Sequence, residues 1–174
     1  QWTSLTGASN AEETASSVRV GTDGNISIYG YSVRSSGASV TIDGQSYATP
    51  SSYLRTTYAP DGTRVSTLLL DSTGLPVNGT HVESDSSGNI YAYGFTSAAF
   101  DGQTYNGAGD AFVVKYNSTG TKQWSRIIGT NQFESANDID FGSDGSVFLS
   151  GLTKGNLSGE TNNGSSFLTT DVFC

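Results

Sequence analysis

The 174-residue sequence has no methionine, one histidine and one cysteine. The single cysteine, Cys174, cannot form a disulfide within the chain, so stability must come from packing. One histidine and one cysteine also fall short of the four ligands that a structural zinc site takes. Because methionine is lacking, we expect the chain to be a processed product or a piece of a longer protein.

The sequence also lacks long apolar runs, helical periodicity and a basic stripe. It has no apolar run of about 18 residues, which predicts no membrane span. Eight Lys and Arg residues are scattered among 16 Asp and Glu residues, for a net charge of −8. A nucleic-acid-binding protein normally shows clustered basic residues, so we expect no nucleic-acid partner. An acidic surface suits an extracellular setting.

Recognisable catalytic motifs are missing as well. The sequence has no G-x-S-x-G nucleophile motif and no G-x-x-x-x-G-K phosphate loop. His81 has Ser84 and Asp85 close by in sequence, but residues of one strand alternate between two faces, so this set cannot converge as a relay. We therefore expect no catalytic residues, and we interpret His81 as an exposed or edge residue.

What the sequence does contain is 22 glycines and many Thr, Ser, Val and Tyr residues, a composition that favours short strands joined by turns. Residues 110–151 show this best. Apolar runs of strand length alternate there with turn segments at 117–120 and 143–145, and Ile139 and Phe141 alternate with acidic residues at the period of a half-buried strand. We predict an all-β chain.

Internal repeats organise the chain. Turns at 22–25, 86–89 and 143–146 each precede a strand that reaches a glycine, at Gly30, Gly94 and Gly151. A second marker, Asp-Gly-Gln-Ser/Thr-Tyr, occurs at 43–47 and 101–105 and is degraded at 158–161. The period is near 60 residues, which suits a blade of four strands with added loops.

The phase of these markers predicts one domain of three four-stranded antiparallel β-propeller blades over residues 1–174. Residues 1–7 form an outer strand, 15–70 the first blade, 77–129 the second, and 136–174 a third blade that lacks its outer strand. Ten recurring apolar positions are predicted to be buried: Ile26, Ile28, Ile90, Ala92, Phe112, Val114, Ile139, Phe141, Val147 and Leu149.

The run at 101–130, DGQTYNGAGDAFVVKYNSTGTKQWSRIIGT, followed by SANDIDFGSDGSVFLSGLT at 135–153, resembles the bacterial β-propeller repeat known as SBBP. The similarity is strongest over 87–152 and weaker over 1–70, where Ser66 stands in place of Trp124. The resemblance implies a propeller fold in a secreted or cell-surface protein. It implies a scaffold without shared catalytic residues.

Two binding hypotheses remain open beside the scaffold. Glu134, Asp138 and Asp140 offer hard oxygen ligands of the kind that calcium takes, although turn chemistry explains many of the other Asp residues. The loops after the second strands, 32–51, 96–109 and 153–167, could bind glycans. Tyr29, Tyr31, Tyr91, Tyr93 and Phe95 could form a sugar-stacking platform, but we favour a core role for these aromatic residues.

The termini suggest assembly. The segment Gln1–Leu5 matches 123–127, which carries the outer strand of the second blade, while the third blade ends without one. We expect strand exchange between termini, giving a dimer with six blades or an open filament. The third possibility is that the chain is a cut from a longer propeller, in which case this pairing is lost. The predicted interface consists of Trp2, Thr3, Ser4, Leu5, Asp171, Val172, Phe173 and Cys174. The predicted function is a non-enzymatic extracellular assembly module; the alternative is a carbohydrate- or calcium-dependent adhesin-like module.

Overall fold

The computed structural model describes residues 3, 7–35, 39–48, 51–70, 78–160 and 169–173. These residues form thirteen β-strands in four small antiparallel sheets and no helix, which confirms the all-β prediction. Within them, no helix has the length and apolar character that a membrane crossing requires.

The three larger sheets take their strands in chain order. The first sheet has the order β1-β2-β5-β6, with bounds Ala11–Val20, Ile26–Arg34, Ser51–Tyr58 and Arg64–Leu69. The second has the order β10-β9-β8-β7, with β7 to β10 at Asn78–Ser84, Ile90–Thr96, Asp110–Tyr116 and Lys122–Ile128. The third has the order β11-β12-β13, at Glu134–Phe141, Val147–Thr153 and Thr169–Phe173. A small hairpin pairs β3 (Val40–Ile42) with β4 (Gln45–Tyr47).

Contacts divide the chain into two compact units. The first comprises residues 1–73, 82–90 and 116–122, and the second comprises 74–81, 91–115 and 123–174. The first unit has an apolar cluster formed by the β3–β4 hairpin with Leu54. The second has a larger cluster to which β8, β9, β11 and β12 contribute, with these members: Tyr91, Tyr93, Ala111, Val113, Ala136, Ile139, Leu149 and Leu157.

The turns between paired strands are built on acidic or amide side chains. Asp85 Oδ1 accepts the amide N–H groups of Ser87 and Asn89, both at 2.9 Å. Asp61 and Asp144 accept the amides of Thr63 and Ser146 at 2.8 and 3.0 Å. These contacts confirm the interpretation of such Asp residues as turn-forming groups.

The predicted core is largely confirmed. Six of the ten recurring apolar residues are buried, while Ile26, Ile28, Phe141 and Val147 are half-buried. Ile26, Phe141 and Val147 lie at the hairpin turns, and Ile28 pairs with the exposed Val18. The β1 strand is open at this end, since Val18 and Val20 are 62% and 71% exposed.

Three of the five aromatic residues considered for a sugar platform lie in the core, which is the role that we favour, while Tyr31 and Phe95 are half-buried. Tyr29, Tyr91 and Tyr93 are buried at 4%, 1% and 2% exposure, and Tyr31 is half-buried. In the second unit the Tyr91 ring packs against Phe141, with ring centroids 4.7 Å apart. In the first unit the Tyr53 and Tyr116 rings meet edge to face at 6.3 Å. Both faces of β8 and β9 are therefore buried. For β8 this agrees with the predicted burial of Ile90 and Ala92 and with the core role favoured for the tyrosines.

A bulge in the first strand explains the recurring glycine of the second. The pairing register shifts between Ala15 and Ser17 in β1 and between Ala136 and Asp138 in β11. A Cβ atom on Gly30 would overlap the carbonyl oxygen of Thr14, and one on Gly151 would overlap that of Ser135. The repeat pattern indicated that each second strand ends at its glycine. In the structure Gly30 and Gly151 lie inside β2 and β12, and both strands continue beyond them.

The third strand of the third sheet differs from its counterpart in register. Gly30 pairs with Leu54 in the first sheet, but the equivalent Gly151 pairs with Asp171. By their position in the repeat, residues 171–173 correspond to 52–54, and this correspondence would place Phe173 opposite Gly151. The observed pairing differs by two residues, which keeps each side chain on the face that the alignment gives it.

Replacement of Gly151 by alanine should destabilise the fold by about 1–3 kcal/mol or more, because a strand carbonyl must move to admit the Cβ atom. Chemical denaturation measures the change, and Ser150→Ala in the same strand is the matched control. Equal stability of the two variants would show that the bulge yields to the added atom.

Candidate functional site

A short loop braces the outer strand of the first sheet. This loop, residues 43–45 and here named edge loop 1, turns through left-handed backbone at Asp43 and Gly44, with φ of 52° and 77°. Asp43 Oδ2 accepts the hydroxyl of Thr67 on β6, and an Arg64 nitrogen lies 2.6 Å from Asp43 Oδ1. Gln45 donates to the carbonyl of Thr67 and accepts the amide of Leu69 at 3.2 Å.

Edge loop 2, residues 101–103, repeats this arrangement on the second sheet. The Ser125 hydroxyl on β10 donates to Asp101 Oδ2 at 2.8 Å. Gln103 donates to Ser125 Oγ at 2.9 Å and accepts the amide of Ile127 at 2.9 Å. Asp101 and Gly102 have φ of 50° and 72°, close to the values in edge loop 1.

Edge loops 1 and 2 bind backbone groups of the outermost strand that have no neighbouring strand to pair with among the described residues. An outermost strand carries backbone N–H and C=O groups that lack a neighbouring strand and can pair with another chain. Gln45 and Gln103 each accept one such N–H, and the preceding Asp holds a hydroxyl two residues earlier on the same strand. Edge loops 1 and 2 therefore cap the fourth strand and fix its position.

Edge loop 3, residues 158–160, keeps the backbone of the other two with different side chains. Ser158 and Gly159 have φ of 53° and 87°, and Glu160 N–H donates to the Leu157 carbonyl at 2.9 Å, as Gln103 does to Phe100 at 3.0 Å. Leu157 is buried, like Phe100, whereas Ser158 and Glu160 are exposed. Edge loop 3 has Ser158 and Glu160 at the two positions where edge loops 1 and 2 have the Asp and Gln that contact the fourth strand.

The third sheet has three strands among the described residues. The β13 strand pairs with β12 there and has no fourth strand beside it in the described part of the chain. Of the predicted interface residues, Asp171, Val172 and Phe173 lie on this strand. Thr3 is exposed and outside any strand, while Trp2, Ser4, Leu5 and Cys174 lie outside the described residues. The predicted interface thus remains a prediction.

The proposed calcium ligands lie in different environments. Glu134 is fully buried, whereas Asp138 and Asp140 are exposed. The bulge at 136–138 causes this separation, because an extra residue reverses which positions face the core. No group of three His, Cys, Asp or Glu residues within the described ranges could hold a metal ion, and the calcium hypothesis remains a prediction.

Glu134 has a structural role in the described fold. Its carboxylate accepts the Thr130 amide at 2.7 Å and the hydroxyls of Thr130 and Thr153, both at 2.8 Å. Glu13 is its counterpart in the first sheet and accepts the Ala8 amide and the Ser32 hydroxyl, both at 3.1 Å. In both sheets a carboxylate thus joins the segment before the first strand to the second strand.

Asp110 is a second buried carboxylate in this region. Burial raises its pKa, the backbone amides of Asn106 and Gly107 oppose the rise, and the charge of Glu134 adds to it. The Asn106 amide donates to Asp110 Oδ2 at 2.9 Å. A Cβ atom on Gly107 would overlap the carbonyl oxygens of Thr130 and Gln132, so this glycine allows close backbone packing.

The remaining candidates are His81 and the predicted glycan loops. His81 is exposed on the edge strand β7 and stacks on Tyr93 with ring centroids 5.4 Å apart, which confirms its interpretation as an edge residue. Two residues of the predicted glycan loop 32–51, Asp43 and Gln45, line an open cavity of about 280 Å³ together with Arg64 and Ser66. This cavity lies where Ser66 replaces the Trp124 of the second sheet. Glycan binding at these loops remains a prediction.

Sequence reasoning found the Asp-Gly-Gln segment as a repeat marker but missed its role. The available signal was the hydroxyl residue that recurs in the facing strand, Thr67 in the first sheet and Ser125 in the second. No protein-family model matches the chain, and no curated protein matches it. The SBBP resemblance therefore remains a prediction.

Replacement of Gln103 by alanine should lower the free energy of unfolding by about 1–3 kcal/mol, because two hydrogen bonds to β10 are lost. Urea denaturation measures the loss. The exposed Gln132 provides the matched control as Gln132→Ala. A loss no larger than the control's would show that edge loop 2 does not hold β10.

Replacement of Asp110 by asparagine should raise the melting temperature at pH 7, and the gain should shrink as the pH falls toward 4. A carboxyl whose folded pKa is raised contributes stability below its unfolded pKa of about 4, and that stability is lost as pH rises through the folded pKa. Thermal melts of wild type, Asp110→Asn and the exposed control Asp138→Asn from pH 4 to 8 measure this. A pH-independent loss of stability in Asp110→Asn would contradict it.

Proposed function

We propose that the chain is a non-enzymatic structural module of the β-propeller type that acts outside the cell and assembles with copies of itself by strand addition. The observation that carries the proposal is the three-stranded third sheet among the described residues, beside two sheets whose fourth strand is held by an edge loop. The matching fourth-strand sequence occurs at 1–5.

Contacts between successive sheets support the blade arrangement. In the first unit the Ser17 hydroxyl on β1 donates to the Val82 carbonyl on β7 at 2.7 Å, and Arg19 lies 3.2 Å from Glu83. In the second unit β8 packs on β11 through Tyr91 and Phe141. Each antiparallel meander thus contacts the next one along the chain, as blades of a propeller do.

The open edge favours a second copy as the partner. Known propellers use about four to eight blades, and two copies of this chain together supply six. In such a dimer, residues 1–5 of each chain complete the third sheet of the other, which is a twofold arrangement. The same pairing without closure gives a filament.

The remaining parts of the proposal depend on the sequence. The resemblance to SBBP repeats supports a scaffold in a secreted or surface protein. The net charge of −8 suits that setting through solubility. The sequence offers no recognised catalytic set.

Light scattering on the purified chain tests assembly. We expect a mass about twice the 18.1 kDa of one chain, or a series of larger polymers if the ring stays open. Deletion of residues 1–6 should give a monomer. Addition of a peptide with the sequence of residues 1–7 should dissociate the intact chain, and a scrambled peptide of the same composition is the control. A monomer at about 100 µM, or an assembly unaffected by the deletion, would overturn the proposal, because unpaired edges at that concentration should associate.

A further inference from the structure

We infer that edge loop 3 is the receptor that fixes the register of the incoming strand, and that Glu160 binds Thr3 and the backbone N–H of Leu5 from a second copy of the chain. The inference rests on the proposed strand addition. It deepens that function by naming the groups that recognise the strand.

The contacts in the first two sheets define what such a receptor does. Each loop holds a hydroxyl residue of the fourth strand, Thr67 or Ser125, and the N–H of the residue two positions later. Two contacts spaced by two residues along one strand specify both the face and the register of that strand. A strand displaced by one residue would present the wrong side chain to the loop.

The third loop has the geometry to do the same. Its left-handed residues have φ within about 15° of those in the other two loops, and a buried apolar residue anchors each loop just before them. The exposed side chains of Ser158 and Glu160 stand at the positions of the Asp and Gln that make the contacts elsewhere. The described part of the chain places no fourth strand against them.

The sequence of residues 1–5 fits this receptor. Alignment of Gln1-Trp2 with Gln123-Trp124 places Thr3 at the position of Ser125 and Leu5 at that of Ile127. Thr3 therefore supplies the hydroxyl group that both braced strands carry. Its side chain is exposed in the described chain and so is accessible to a partner.

The exchange of Gln for Glu alters the chemistry of recognition. A glutamine side chain both donates and accepts, whereas an ionised glutamate only accepts. The two groups offered by the incoming strand, the Thr3 hydroxyl and the Leu5 N–H, are both donors, so one carboxylate can bind both. Hydrogen bonds to a charged acceptor are stronger than neutral ones, which compensates for the loss of the Asp acceptor at Ser158.

A double-mutant cycle on the full chain tests the inference. Dimer dissociation constants are measured by sedimentation equilibrium for wild type, Thr3→Val, Glu160→Ala and the double variant. Because the twofold dimer contains the contact twice, each single variant should weaken the dimer by roughly a hundredfold or more, about tenfold or more for each charged hydrogen bond lost, and the double variant should be hardly weaker than either.

Two control variants separate recognition from charge. Glu12→Ala removes another exposed carboxylate with the same change in net charge and should leave the constant unchanged. Glu160→Gln restores the residue of edge loops 1 and 2 and should retain most of the affinity. Equal melting temperatures of the Glu160→Ala and unsubstituted chains after deletion of residues 1–6, which removes the dimer, would show that the exposed residue 160 does not act through folding.

The outcomes distinguish the inference from the proposed function. A dimer that is lost on deletion of residues 1–6 but is equally tight in Glu160→Ala and Glu12→Ala would overturn the inference and leave strand addition standing. Additive effects of Thr3→Val and Glu160→Ala would overturn the pairing of these two residues. A wild-type chain that stays monomeric would overturn both the inference and the function.

Discussion

The fold depends on how the backbone groups at the edge of each sheet are satisfied. A strand inside a sheet pairs on both sides, but the fourth strand pairs on one side, and its outward amides need other acceptors or water. The side chains of Gln45 and Gln103 supply acceptors for the Leu69 and Ile127 amides. The left-handed turn residues of each loop and the buried residue before them position the glutamine side chain against the strand.

Much of the architecture could be predicted because its signals are local. Asp and Gly residues mark turns through their own backbone preferences, and recurring apolar positions mark the strands between them. The two-sided burial of β8 could be predicted, because Ile90 and Ala92 recur as apolar positions and the tyrosines beside them fit a core role, whereas that of β9 depends on which sheets cover it. The register of β13 could not be predicted either. Residues 171 and 173 lie on the same face of the strand, so the alternation of side chains fits the pairing of Gly151 with either residue.

The candidate site shows the same division. The Asp-Gly-Gln segment was visible as a repeat, yet its function required the position of β6 and β10 beside it. The acidic residues of β11 were grouped by their even spacing, and the bulge at 136–138 separated Glu134 from Asp138 and Asp140. No residue type marks a bulge in this sequence. The recurring glycine opposite it was the one available sign, and it was interpreted as a strand end.

The bulge of the first strand has a consequence for how such repeats tolerate changes in length. Seventeen positions separate Glu13 from Gly30 and also Glu134 from Gly151 (30 − 13 and 151 − 134), although the turn glycines of successive repeats are 64 and 57 positions apart (88 − 24 and 145 − 88). The difference in repeat length therefore lies outside this hairpin in the first and third sheets. Loss of one residue at the bulge would turn one half of the strand over relative to the other, and the buried carboxylate would leave its hydroxyl partners. The hairpin is thus the part of the repeat whose length is fixed.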